Sequence, residues 1–166
     1  MSLTADIQLS VTGRHVNPID LGSVALPFAL SKSLSLADGT GANQADRVFT
    51  DQRTLAASGT EDLDLAGVLI DAFGQAITFA KIKAVIIKAA DGNTNDVNVS
   101  RPASNGVPLF LAAGDGIPVK PGGVLAWFCP GTGVTVTGAT GDLLTITNSA
   151  GGTGVTYQVV IIGTSA

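Results

Sequence analysis

Ionisable and metal-binding side chains are scarce in this chain. Its 166 residues include one histidine (His15), one cysteine (Cys129), one tyrosine (Tyr157) and one glutamate (Glu61). A single cysteine excludes an intrachain disulfide and a cysteine metal cluster. Charged residues make up 13% of the chain, about half the usual ~25%, too little to coat an ordinary soluble monomer. The nine Lys and Arg are scattered and the net charge is −4; without a basic stripe, direct DNA or RNA binding is disfavoured. The longest uninterrupted apolar run, Val124 to Cys129, is far short of the ~18 residues of a membrane-spanning helix. The opening Met1 to Asp6 has neither a basic nor an apolar signal region, so synthesis and folding in a cytoplasm are expected. One domain with a real core is expected at this length. The surplus of apolar and small residues must be covered, by the core or by partners.

What is present is short β-like runs between glycine-rich turns. Asp6 to Thr12 alternates polar and apolar residues, the period of a half-buried strand. Leu21 to Leu36 is apolar in several places, but Pro27 argues against both a central strand and a helix interior. Asp62-Leu63-Asp64-Leu65 alternates again. Val68 to Phe73 reads as a helical turn or a loop closed by Gly74. Ala76 to Lys88 is rich in β-branched residues and reads as a strand. Asp91 to Asn95 has turn composition, and Asp96 to Ser100 is expected to pair behind it as a hairpin. Strands follow at Leu109–Leu111, Ile117–Val119, Val124–Phe128, Val134–Thr137, Leu143–Thr147 and Thr156–Ile162. From Val48 onward this gives about eight or nine strands at the spacing of a sandwich or barrel. The expected fold is all-β, an antiparallel β-sandwich of jelly-roll type. Residues 1–45 form an N-terminal extended arm with one or two strands, able to pair with a neighbouring subunit at an exposed edge. Residues 46–166 form the sandwich domain.

The candidate chemistry is thin. His15 lies in the turn-like Gly13 to Pro18, and no G-x-S-x-G elbow accompanies it, so a solvated loop histidine outweighs a triad member. Glu61, Asp62 and Asp64 form the densest acidic group, yet Asp62 and Asp64 share one face of a strand with Leu63 and Leu65 on the other, as in any half-exposed strand. Asp91 to Asp96 begins like a calcium loop, but Asp96 and Pro102 stand where an EF-hand needs Gly and Glu; an Asx-rich turn is the simpler reading, with a looser Ca²⁺ or Na⁺ site left open. No phosphate-binding glycine loop is present. Cys129, inside an apolar run, reads as a buried inert thiol. Trp127 and Phe128 point to opposite faces of a strand, one toward the core and one toward an interface. No catalytic, cofactor or metal residues are assigned. The expected contact residues are Ile7, Leu9 and Val11 in the arm, with Trp127 and Val159 in the sandwich.

The stretches Leu36 to Asp46, Val48-Phe49, Thr54 to Leu65, Gly92 to Val97 and Val155-Thr156-Tyr157 resemble small accessory structural proteins of tailed bacteriophages. That resemblance, one of phrase and style over most of the chain, implies head decoration or tail parts with sandwich or jelly-roll cores, assembled as trimers or higher rings. It carries over no enzymatic residues. The resulting expectation is a non-enzymatic virion protein, a capsid decoration or cement protein. It would act as a homo-oligomer, with a trimer favoured. Its partners would be its own copies and the major capsid protein, not nucleic acid or membrane. It would be assembled in the host cytoplasm and reside in the virion. Two other readings compete. A tail or fibre module recognising host polysaccharide predicts exposed aromatics, with Trp127 the residue to test, or a loop acid cluster at one end of the sandwich. A hydrolase requires His15 or Asp64 in a working site.

Overall fold

The computed structural model describes residues 2–166, and the fold is all-β, with no helix among them. The chain opens with a long antiparallel hairpin, β1 (Ala5–Ile19) and β2 (Gly22–Asp38), paired in continuous register from Ala5↔Leu36 to Ile19↔Gly22. Pro27 sits inside β2 opposite Arg14. A two-stranded ribbon has open outer edges, where a missing N–H costs no ladder bond, and this is why the proline is tolerated. A short β3 (Gln44–Ala45) runs parallel to the end of β2.

The remaining strands are β4 (Arg47–Leu55), β5 (Thr60–Asp64), β6 (Leu69–Ile70), β7 (Ala76–Ile77), β8 (Lys81–Ala89), β9 (Val97–Ser100), β10 (Gly116–Val119), β11 (Val124–Phe128), β12 (Val134–Thr135), β13 (Leu143–Asn148) and β14 (Val155–Thr164). One sheet has the order β10-β9-β13-β5, and the other β11-β8-β14-β4 with β12 also on β8. The pairing is nested: β4 with β14, β5 with β13, β8 with β11 and β9 with β10, all antiparallel. The inward faces of both sheets meet in one core that includes Phe49, Leu63, Ile87, Val99, Ile146 and Ile161. Burying each such side chain is worth about 1.5–3 kcal/mol, and their period-2 spacing along β14 (Val155, Tyr157, Val159, Ile161) follows from the pleat.

Two irregularities shape the second sheet. The β8–β14 register slips between Ile162 and Gly163, leaving Lys83 opposite no residue. At the slip the backbones approach so closely that a Cβ on Gly163 would stand 2.1 Å from the Lys81 carbonyl oxygen, so only glycine fits. Lys83 is buried and its Nζ donates to the Gly131 carbonyl. Loss of water around the ammonium, then the nearby Lys81 charge, holds its pKa below the ordinary lysine value.

The structure departs from expectation at two segments and decides between alternatives at a third. Leu109–Leu111 forms no strand and lies in the connection between β9 and β10. Residues 91–96 do not close a hairpin: β8 and β9 lie in different sheets, and β9 pairs with β10 and β13. Of the two readings of residues 68–73, the loop closed by Gly74 holds and the helical turn does not. β6 and β7 pair as a small hairpin closed around Gly74, whose φ of 80° is in the left-handed region.

Candidate functional site, an apolar hairpin face

In a paired ribbon, directly opposed residues share a face and successive residues alternate. One face of the β1–β2 hairpin therefore carries Leu9/Lys32, Val11/Leu30, Gly13/Phe28, His15/Leu26 and Asn17/Val24, while the reverse carries Gln8/Ser33, Ser10/Ser31, Thr12/Ala29 and Arg14/Pro27. The ribbon is apolar on one side and mostly polar or small on the other. Its base is anchored: Leu3, Ala5, Ile7 and Leu36 pack with Ala84, Ile86, Phe128, Val160 and Ile162 on the outer face of the second sheet. Beyond Ile7 the same face is left open. Leu9 is 45% exposed, Val11 46%, Phe28 53%, Leu30 62% and Leu26 67%. At about 3.4 Å per residue, the part of β1 beyond Ile7, Gln8 to Ile19, reaches roughly 40 Å. Among the described residues, nothing covers this stretch.

Of the expected contact residues, Ile7 belongs to the hairpin base and Leu9 and Val11 to the open face. Trp127 is half-buried against the main core, and its neighbour Phe128 turns to the hairpin base. Val159 is 1% exposed and lies between the sheets, so it offers no surface. β14 is flanked by β8 and β4, and its outward side chains there are Gln158 and Val160. Sequence reasoning missed Val24, Leu26 and Phe28 as surface residues. The signal was the even-numbered apolar series from Val24 to Leu36, broken only by Lys32.

The acidic group separates. Asp62 accepts from Thr145 Oγ1, and Asp64 accepts from the Ala66 amide. Glu61 turns the other way, into the end of the sandwich. It accepts from Tyr157 Oη at 2.7 Å and pairs with Arg53 Nη1, whose guanidinium lies 5.6 Å from the Phe49 ring centroid and also meets Asp51 at 3.0 Å. Both Glu61 oxygens are thus engaged in tying β5 of one sheet to β4 and β14 of the other. Burial, reinforced by the Glu61 hydrogen bond and charge, pushes the Tyr157 phenol well above the ordinary tyrosine value. Burial pulls the Arg53 pKa down, but the Glu61 hydrogen bond and charge, together with Tyr157 and Asp51, more than offset it.

The remaining candidates also resolve. His15 stands on the hairpin opposite Leu26, on a different part of the chain from the acidic cluster. In the 91–96 turn, the Asn93 side chain bridges both backbone groups of Thr156, Asn95 donates to Asn148, Ala150 and Thr153, and Asp96 pairs with Lys120 at 2.6 Å. Asn93 and Asn95 thus fasten the 148–156 loop, and Asp96 ties the turn to Lys120 after β10. No three His, Cys, Asp or Glu side chains gather among the described residues, and no helix there is long and apolar enough to cross a membrane. Cys129 is half-buried rather than buried. Its Sγ lies 3.5 Å from Thr132 Oγ1, and that hydrogen bond leads the interactions that lower its pKa.

Comparison of the chain with family models, with curated proteins and with solved structures gives no match.

Proposed function

We propose that this chain is a non-enzymatic structural protein of a phage virion, a decoration or cement protein that binds the assembled head as a homo-oligomer. The observation that carries the reading is the open apolar face of the β1–β2 hairpin, on a chain with only 13% charged residues. Soluble monomers rarely leave a contiguous apolar face of this length uncovered, and obligate interfaces are more apolar than ordinary surface. We read residues 1–45 as an extended arm and the sandwich as a jelly roll. The nested pairing of eight strands supports the second reading, since a jelly roll is a two-sheet, eight-stranded double Greek key found among other places in viral capsid proteins. That support is an analogy of fold. The engagement of Glu61, Asp62, Asp64 and the 91–96 turn in internal bonds gives the polar groups a structural role consistent with this function.

The partner would be the major capsid protein, and the particle its location. The test is co-sedimentation with phage heads stripped of accessory proteins. The reading expects saturable binding at a fixed ratio to the capsid protein. A chain left in the supernatant at every concentration would overturn it.

A further inference from the structure

We propose that Lys83 and the loop from Cys129 to Gly133 form a latch that holds the base of the β1–β2 hairpin on the sandwich. The latch stands whatever the open face binds and whatever particle the chain belongs to.

Residues 2–45 are joined to the rest of the fold by few ties. β1, β2 and β3 pair only among themselves. The apolar base of the hairpin packs on the second sheet. Among the described residues, one hydrogen bond crosses from this segment to the sandwich: the Asn43 amide donates to the Pro130 carbonyl at 2.8 Å. Asn43 lies in the turn between β2 and β3, in the left-handed region with φ of 55°. Its own carbonyl accepts from the Ala37 amide of β2 at 3.1 Å. A line of backbone bonds therefore runs from the end of the hairpin through Asn43 to Pro130.

Pro130 belongs to the loop between β11 and β12, and that loop is pinned to β8. The Cys129 amide donates to the Lys83 carbonyl at 2.8 Å, and the Gly133 amide closes the loop on the Cys129 carbonyl at 3.1 Å. Between these ends, Lys83 Nζ donates to the carbonyl of Gly131, the neighbour of Pro130. At Gly133, with φ of 70°, a Cβ would stand 2.6 Å from the Ile82 carbonyl oxygen and 3.1 Å from Lys83 Cδ. The loop thus lies directly on the lysine stem.

A lysine is costly at this place. Lys83 is 2% exposed and is the extra residue of the bulge. The charged and titratable groups acting on it are Lys81 of its own strand, which repels the ammonium, and Cys129 of the loop. β14 brings Gly163 and Thr164 beside it, and neither titrates. An ammonium buried without a carboxylate loses its hydration and gains no ion pair, so an apolar side chain would serve the core better. What the ammonium alone supplies is a charge-assisted donor to the loop, about twice as strong as a neutral one. With that bond in place, the Pro130 carbonyl is held where Asn43 meets it. Without it, the hairpin is held by its apolar base.

The test is hydrogen exchange resolved by residue, on the intact chain and two variants. Lys83→Met keeps an unbranched side chain and removes the donor. The Asn43 amide is expected to lose protection about tenfold or more, the worth of one hydrogen bond to a charged group. The Ala37 amide should fall with it, while the amides of β14 keep their protection. Gly133→Ala reaches the loop from another side, by crowding the Ile82 carbonyl, and is expected to give the same pattern with the ammonium untouched. Retained protection at Asn43 in Lys83→Met overturns the latch. Equal loss at Asn43 and along β14 does so too, because it would make Lys83 a core residue and nothing more. If Lys83→Met does not fold, Gly133→Ala decides by the same two readings. Failure of both to fold would make the loop part of the core and would also overturn the latch.

Discussion

The tip of the Phe28 ring sits over Gly13: a Cβ built on Gly13 would stand only 2.1 Å from Phe28 Cζ. The two residues are directly opposed in the hairpin, and the ring fills the space that a side chain would otherwise take. An aromatic ring over a strand glycine repairs the weak point the glycine makes. Here it also occupies the middle of the apolar face. Gly13→Val should therefore lift the ring and roughen the face. The expected outcome is weaker self-association in dilution by light scattering, with the melting of the sandwich changed by no more than about 0.5 kcal/mol, as for a position away from the core. Unchanged association would separate the Gly13–Phe28 contact from assembly.

Tyr157 gives a stability prediction with a defined sign. Its phenol is raised by burial and then by Glu61, so the folded state holds the proton at a pH where the unfolded chain has lost it. The stabilisation is fully present below the ordinary value of 10.0 and is lost as pH rises through the folded value. Denaturant titrations should show stability falling above pH 10, and Tyr157→Phe should flatten that fall while costing about 1.5–3 kcal/mol at neutral pH for the lost bond to a charged acceptor. Tyr157 is the sole tyrosine, so phenolate absorbance reports it directly. Titration of the native protein with an ordinary tyrosine midpoint would contradict the buried contact.

Val159 should behave as a core residue and have no part in assembly. Val159→Ala is expected to cost about 1–3 kcal/mol in unfolding free energy, the lost burial plus a small cavity, and to leave the mass in solution unchanged. A change in oligomeric state without loss of stability would return Val159 to the surface.

Cys129 should be the reactive thiol of the folded protein. The hydrogen bond to Thr132, then the backbone hydrogen bond at Gly133, lower its pKa against the opposing effect of partial burial, and reactivity follows the thiolate. Alkylation rates measured against pH should show a midpoint below that of a free cysteine, and Thr132→Val should move it upward. Reaction only after denaturation would mean the thiol is sealed.

Much of the sandwich is legible in the sequence because its strands alternate cleanly, as in Asp62 to Leu65, or carry β-branched runs, as in Lys81 to Lys88. The hairpin is less so. Pro27 argues against a strand only where both edges are paired, and pairing is a property of the whole sheet. The same holds for Val159: in Val159-Val160-Ile161-Ile162 both faces are apolar, and alternation alone cannot say which is inside. The junction of Arg53, Glu61 and Tyr157 joins residues up to 104 positions apart in the chain (53 to 157), and the Glu61–Tyr157 bond alone spans 96. Only the nested strand order brings them together. A family of phrases in the sequence suggested a self-assembling protein, but the surface that would do it, centred on Leu26, Phe28 and Leu30, emerges only when β2 is laid against β1.

The central claim is that a chain poor in charge hides its hairpin face against its own copies. Sedimentation equilibrium of the unmodified protein over a wide dilution range tests it most directly. The account predicts a species at a multiple of the 16.6 kDa chain mass that gives way to monomer only on strong dilution. A single monomeric species at every concentration, with the hairpin intact, would contradict it.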